Sequence, residues 1–533
     1  MNLRLVARLL GMVAWLTGGA MLYSIPWASP LLGQAEDFEV RGMVALLISI
    51  AVCAVVGYAL RWIGRGDEAT LFRKEAMATV GLSWILATVL GAFPFWLSET
   101  ARGLDADGKT PVPMTWIDCM FESQSGFSTT GATVLTRLED PQLVPRCILF
   151  WRSSTHFLGG LGIIVLFVAI LGQGSAGKAM MRAEMPGPTK EGTQMRMQHT
   201  AWTFAGIYCA LNAVLAGILM LEGLSLFDAL CHAFGTMATG GFSTYDASLG
   251  HFRTLPELNG PLIEYTVVVF MVLAGTNFTL LYFLLLGRPQ RLMADVEWRT
   301  YIGVMAGVTA LVIAFGVYHE DFETTARGER FAWLEDVFRF SMFQVVSIMT
   351  TTGFGTHNFD AWNSFGRGVL FLLMFVGGCA GSTGGGIKVI RHILFLKVLR
   401  LEVEQSFHPS VVRPLRLRGE PVEDPSLRKQ VLVYFSLVLA IFVFSWMFLV
   451  AVEPDATWIT GGQDLQNKLI DSASSVAATL NNIGPGLGIV GATENYARFT
   501  PWAKLLFIFL MMLGRLELFA ILVLFIPRFW RSR

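Results

Sequence analysis

The residues best placed to do chemistry in this chain are small and uncharged. Four short strings, Thr129-Thr130-Gly131-Ala132, Ala238-Thr239-Gly240-Gly241, Thr351-Thr352-Gly353-Phe354-Gly355 and Asn482-Ile483-Gly484-Pro485-Gly486, each lie between two long apolar stretches. They supply no general base and no metal-ligating cluster. They supply main-chain carbonyl oxygens, which glycine can turn through φ values that other residues resist. The threonines at 129, 130, 239, 351 and 352 add hydroxyl oxygens. A ring of carbonyl dipoles holds a partly dehydrated cation at intermediate strength, where ionised side chains would hold it too tightly to let it pass. Four such loops meeting on one axis would line an ion path.

The elements that must position these loops are legible in composition. The chain has 533 residues, 53% hydrophobic and only 15% charged. Repeated apolar runs of about 20 residues mark a helical membrane protein, since a β-barrel would show alternating segments of about ten. Spans are predicted at 5–26, 40–63, 75–98, 146–172, 199–222, 262–287, 299–318, 366–400, 428–452 and 502–527. The N-terminal Met1–Tyr23 stretch has the basic start and apolar middle of a signal peptide, but no small-residue cleavage site follows, so it reads as a retained first helix. Semi-polar amphipathic stretches precede the four loops, at Trp116–Ser128, Leu226–Met237, Leu334–Thr350 and Leu469–Asn481. The unit is therefore span, short re-entrant helix, glycine loop, span. It predicts an all-α integral membrane fold with an N-terminal hairpin over 1–70. Four pseudo-repeated pore units follow over 71–198, 199–298, 299–426 and 427–533. Asp118, Asp228 and Asp471 sit near the starts of three short helices, where a carboxylate suits the positive end, and Asp336 lies nearby in the other.

Basic residues set the orientation. Arg61, Arg65, Arg73 and Lys74 follow the second span, Lys178, Arg182, Lys190 and Arg196 the fourth, and Arg288, Arg291 and Arg299 the sixth. Lys397 to Lys429 follows the eighth, and Arg528, Arg531 and Arg533 end the chain. All fall on one side, which the positive-inside rule makes cytoplasmic, with both termini there and the loops opening from outside. Formal net charge is zero, so no bulk charge points to nucleic acid. The six cysteines are scattered without a C-x-x-C pair, so no zinc site or disulfide framework follows. There is no H-E-x-x-H, G-x-S-x-G or dinucleotide-binding string, and no enzyme chemistry is predicted.

Two features could block an ion path from below. Gly377, Gly378, Gly381, Gly384, Gly385 and Gly386, with Ser382 and Thr383 among them, interrupt the eighth span. Each glycine costs about 1 kcal/mol relative to alanine in a helix, so this stretch must be a loop facing protein or water. It is a gate or a passive hinge. It is no phosphate loop, because Lys388 lacks the neighbouring Gly and Ser/Thr. Arg515 lies inside the last span, where a full charge costs at least about 2.5 kcal/mol without a partner or a water-filled cavity. Glu517, two residues on, faces elsewhere on a helix, so Arg515 reads as a positive barrier beneath the ring. Lys388 and Arg391 read as inner-mouth anchors. Glu122, Arg152, His156, Glu264 and Asn277 are candidates to support the loops from behind.

On Phe121 to Thr133, Met237 to Phe242, Thr350 to Gly355, Asn481 to Gly488, the glycine-rich stretch and Arg515, the chain resembles the membrane subunit of bacterial Trk-type potassium uptake systems, within the Trk/Ktr/HKT superfamily. The resemblance covers essentially the whole chain. It implies four M1–P–M2 units around one pore, each similar to a potassium-channel subunit. The filter positions would be Thr129, Thr130, Gly131, Ala238, Thr239, Gly240, Thr351, Thr352, Gly353, Asn482, Ile483 and Gly484. Glycine at 131, 240, 353 and 484 looks like the potassium-selective pattern. The N-terminal pair of spans looks like Trk rather than Ktr. The resemblance further implies K+ as the transported ion with no organic cofactor on this chain. It implies a homodimer, a cytoplasmic RCK-type nucleotide-binding partner and residence in the bacterial inner membrane. The basic Lys397–Lys429 loop is a docking surface for that partner or a lipid headgroup contact. The other transport reading is a proton- or sodium-coupled potassium symporter, with Glu122 or Glu517 as its titratable carboxylate.

Overall fold

Apolar length and glycine placement decide where this chain is helical and where its helices break. The computed structural model describes residues 1–33, 37–65, 72–105, 107–171, 197–322, 330–408, 416–417, 420–421, 426–459 and 467–531. The helices of the membrane part are α1 (Leu3–Met21), α2 (Val40–Ile63), α3 (Arg73–Leu97), α4 (Trp116–Phe127), α5 (Arg146–Leu171), α6 (Met197–Leu221) and α7 (Leu226–Met237). They continue as α8 (Gly260–Ala274), α9 (Phe278–Leu285), α10 (Val296–Tyr318), α11 (Arg330–Met349), α12 (Ser364–Leu373) and α13 (Val389–Phe407). The last are α14 (Ser426–Val452), α15 (Lys468–Leu480), α16 (Pro501–Arg515) and α17 (Phe519–Leu522). Two small antiparallel ribbons, Ala101–Leu104 with Pro111–Pro113 and Arg416–Leu417 with Glu420–Pro421, and several short helical turns lie between these helices.

Among the described residues, six helices are long and apolar enough to cross a membrane, and two bent pairs bring this to eight if each pair is one span. The helical membrane class predicted from composition is therefore borne out. Two further predicted spans correspond to α5, whose side chains are described up to Gly162, and to the interrupted α12–α13 pair. Two predictions of unbroken spans are corrected. The 262–287 span bends by 109° between α8 and α9, and the 502–527 span bends by 118° after Arg515. The cause of the second is local: Glu517 and Leu518 both have positive φ, which no right-handed helix accommodates.

Close packing in lipid comes from small residues, because lipid tails are as apolar as leucine and give no burial drive between helices. At the α1–α2 crossing, a Cβ built on Gly11 would lie 2.7 Å from the Gly57 carbonyl oxygen, and one on Gly57 would lie 2.9 Å from the Gly11 oxygen. Gly18 meets the Cβ of Cys53 at 2.8 Å in the same way. The buried apolar side chains form two large clusters. One joins the N-terminal hairpin to α3–α5 and to α15–α16; the other joins α6–α8 to α10–α12.

A valine at Gly11 or Gly57 must push the α1–α2 pair apart. We expect a loss of about 1–3 kcal/mol, the usual range for overpacking, read as a lower thermal unfolding midpoint of the detergent-purified protein. Gly19→Ala is the control, since nothing lies within 4 Å of a Cβ there.

Candidate ion pathway

The four short helices end in the same way. In α4, the N–H of Thr129 bonds to Gly126 O at 3.0 Å and that of Thr130 to Ser125 O at 2.9 Å. Thr239 and Gly240 repeat this pair on α7, Thr351 and Thr352 on α11, and Asn482 and Ile483 on α15. Each is a Schellman closure whose turning residue is normally glycine. Here the turning residues are Thr129, Thr239, Thr351 and Asn482, with φ of 51°, 55°, 59° and 55°. A left-handed conformation costs an L-residue about 1–2 kcal/mol, and for a β-branched one it is a true outlier. Three such threonines, with Asn482 in the fourth copy of the same structural position, are the pattern strain shows where a site requires it.

Two residues past each turn stands a glycine with positive φ: Gly131, Gly241, Gly353 and Gly484. None has room for a side chain. A Cβ on Gly131 would collide with Gly240 O, one on Gly241 with Thr352 O, and one on Gly353 with Ile483 O. One on Gly484 would lie 2.5 Å from Thr130 O. Each glycine abuts the carbonyl that precedes its counterpart in the next loop, and the fourth contact returns to the first loop. The cycle closes, so four segments far apart in sequence share one centre.

The ring is held from outside by polar ties between consecutive units. Arg152 on α5 pairs with Glu122 on α4 at 2.5 Å and donates to Ser243 O in the second loop at 3.0 Å. Glu122 also accepts from Thr133 Oγ1 and from the Val134 N–H. Glu264 on α8 pairs with Arg339 on α11, which also engages Glu335 and Asp336. Asp360, beyond the third loop, accepts the Gly488 N–H of the fourth at 2.9 Å. Burial pushes the Asp360 carboxyl above the usual carboxylate range, and that N–H pulls it back. Lys504 on α16 pairs with Asp118 on α4 at 2.5 Å, closing the belt from the fourth unit to the first. Asn482 Nδ2 donates to Thr130 Oγ1 at 2.9 Å across the same seam.

The glycine-rich stretch lies against the side of this ring where the short helices end. The Gly385 N–H donates to Thr351 Oγ1 at 2.7 Å, and a Cβ on Gly385 would lie 2.7 Å from that of Asn482. Thr383 Oγ1 donates to Met237 O at 2.9 Å and to Ala274 O at 3.1 Å. Arg515 is buried and donates to Thr383 O at 2.6 Å and to Gly159 O on α5 at 2.9 Å. The stretch thus touches the second, third and fourth units beside the ring, and Arg515 links it to the first. Several of its backbone groups find partners outside the stretch, as an irregular segment among apolar helices requires. Cys379 N–H reaches Gly275 O, left open by the α8–α9 break, and the Ala380 and Ile390 N–H groups both reach Glu297 Oε1. Asn277, in the same break, donates to Ala380 O at 2.6 Å.

The structure brings together every loop singled out by sequence, with one change of register. In the second loop the turn falls on Thr239 and the positive-φ glycine is Gly241. The triplet Ala238, Thr239, Gly240 is therefore offset by one residue from Thr129, Thr130, Gly131. Ala238 caps α7, as Ser128 caps α4. Two tandem glycines hid this, and counting from the helix end would have found it. Lys388 is not an exposed anchor: it is buried and donates to Gly384 O. Arg391 pairs with Glu517 and sits over the Tyr434 ring. Sequence reasoning did not single out Glu297, which had no motif to mark it. The predicted docking residues Arg413 and Arg418 lie outside the described residues, as do Lys178, Arg182, Lys190, Arg196 and Arg533.

Comparison with known proteins agrees with this geometry. TrkH, a family of cation transport proteins, matches residues 42–532. The Trk system potassium uptake protein TrkH of Salmonella typhimurium is 37% identical over 541 residues, covering 100% of each chain. TrkG of Escherichia coli K12, also a Trk system potassium uptake protein, is 30% identical over 534 residues, covering 100% of this chain and 99% of the relative. The crystal structure of the potassium transporter TrkH from Vibrio parahaemolyticus superposes with a TM-score of 0.80 at 31% identity, with 100% of each chain covered. On these matches over essentially its whole length, the chain belongs to the TrkH family of cation transport proteins.

Proposed function

We propose that this chain carries potassium into a bacterial cell across the inner membrane, selecting it at the four-loop ring and gating it at the glycine-rich loop and Arg515. The observation that carries the reading is the closed cycle of glycine-to-carbonyl contacts, 131 to 240, 241 to 352, 353 to 483 and 484 to 130. It supports a fixed ring of main-chain oxygens, the chemistry that a partly stripped monovalent cation needs. The curated relatives are potassium uptake proteins, which supports K+ as the ion. Influx would be driven by the membrane potential, which gives about 2.3 kcal/mol per charge per 100 mV.

The gating reading rests on Arg515. Its two carbonyl bonds fasten the loop to α5 and α16 beneath the ring, in the closed arrangement. The symporter alternative calls on Glu122 or Glu517, and both are ion-paired, with Arg152 and Arg391. That favours conduction without a coupled ion, and a reversal potential following potassium alone would separate the two. The family resemblance supports a homodimer, cytoplasmic termini and a cytoplasmic RCK-type nucleotide-binding partner on the basic Lys397–Lys429 loop.

Flux from purified protein in liposomes tests the ring first. Gly353→Ala meets both a forbidden φ and the Ile483 carbonyl, so it should abolish potassium uptake or its preference over sodium. Unchanged selective uptake rejects the ring. Arg515→Ala removes charge-assisted bonds worth about 1.5–3 kcal/mol each, so cation flux should rise by about tenfold or more. Unchanged flux rejects the barrier. Charge reversal at Arg413, Arg416 and Arg418 should weaken co-purification with the RCK-type partner, whereas normal recovery assigns that loop to lipid.

A further inference from the structure

One ring position differs from the other three. The ring carbonyl belongs to Thr130, Thr352 and Ile483 in three loops but to Gly240 in the second. Backbone conformation does not call for glycine here, since Gly240 is absent from the positive-φ residues. Space does. A Cβ on Gly240 would lie 2.5 Å from Cδ2 of His156 and 2.6 Å from its Cγ and Nε2. An imidazole from the first unit fills the volume that a side chain at position 240 would enter.

That imidazole is wholly buried, and both of its nitrogens are engaged. Nδ1 lies 2.9 Å from Gly126 O, which can only accept, and Nε2 lies 3.2 Å from the Phe242 N–H, which can only donate. These partners assign a neutral imidazole protonated on Nδ1. Its ring stacks on Phe242 with centroids 4.0 Å apart, and the Arg152 guanidinium sits 3.5 Å from the same Phe242 centroid. Arg152 and His156 are four residues apart on α5, on one face. That face grips the residue following Gly241 and backs the carbonyl preceding it.

We infer that His156 is a positioning residue for ion discrimination: it stands in for the missing side chain of Gly240 and fixes that ring carbonyl between α4 and the second loop. The inference rests on reading the ring as the selectivity filter. Discrimination by cavity size requires oxygens that do not follow the ion, and discrimination by field strength requires that their number and placement be kept. A void behind one of four carbonyls lets it yield to a smaller, more strongly hydrated ion.

The test is paired uptake of rubidium and sodium tracers into liposomes containing the full-length protein. His156→Ala should raise the sodium-to-rubidium ratio about tenfold while rubidium uptake persists, as expected when an anchored group is freed by roughly 1.4 kcal/mol. Gly240→Ala should damage selectivity in the parent protein, and the same change in His156→Ala should bring the ratio back toward the parent value, because the added methyl enters the vacated space. His156→Gln keeps bulk with a donor and an acceptor, and should stay within about threefold of the parent ratio. A merely structural histidine would lower uptake of both ions together. An unchanged ratio in His156→Ala overturns the inference, as does equal damage by Gly240→Ala in both backgrounds. A parent protein that passes both ions alike overturns the filter reading itself, which the parent ratio reveals without any variant.

Discussion

A backbone amide or carbonyl at membrane depth has no water to bond, and an unmatched one costs several kcal/mol. That constraint organises this molecule. A regular helix meets it alone. A loop can meet it only with partners, and this chain sets four loops and a glycine-rich break between its apolar helices. The loops close on their own helices through Schellman bonds and lean on one another around a cycle. The glycine-rich stretch borrows the open carbonyls of the α8–α9 break and the carboxylate of Glu297. The helix breaks and the loops are therefore one system, since each supplies what the others lack.

The same system explains where strain is stored. Threonine or asparagine turns each short helix where glycine would be easier, and glycine follows where no side chain fits. The strained threonine keeps a hydroxyl where the helix meets the loop, and Thr351 uses it to accept the Gly385 N–H. Buried ion pairs surround the ring: Arg152 with Glu122, Arg339 with Glu264, and Lys504 with Asp118. Buried pairs are weak evidence for stability but attested specifiers of register, and breaking one is strongly unfavourable. Their service here is to hold four unlike segments in one geometry.

Much of this was legible in the sequence because lipid imposes strong patterns. Apolar length gave the helices, and the glycine clusters and Arg515 marked departures that hydrocarbon does not tolerate without a reason. What escaped was whatever depends on contacts across units. The second loop carries two adjacent glycines, and only the helix end decides which one turns. The bend after Arg515 needs positive φ at Glu517 and Leu518, residues with no turn signature. Lys388 read as a surface anchor because basic residues cluster on that side, yet its ammonium is bonded to Gly384 O. His156 could be named as a possible support but not ranked, since its partners lie 30 and 86 residues away.

The central claim is that four main-chain carbonyls, from Thr130, Gly240, Thr352 and Ile483, surround a single ion path. The most direct measurement is an anomalous-scattering map from crystals soaked in rubidium or thallium. The account predicts a peak on the axis of the ring, within coordination distance of oxygens from all four loops. A soaked, transport-competent protein with its bound ions elsewhere and no peak on that axis would contradict it.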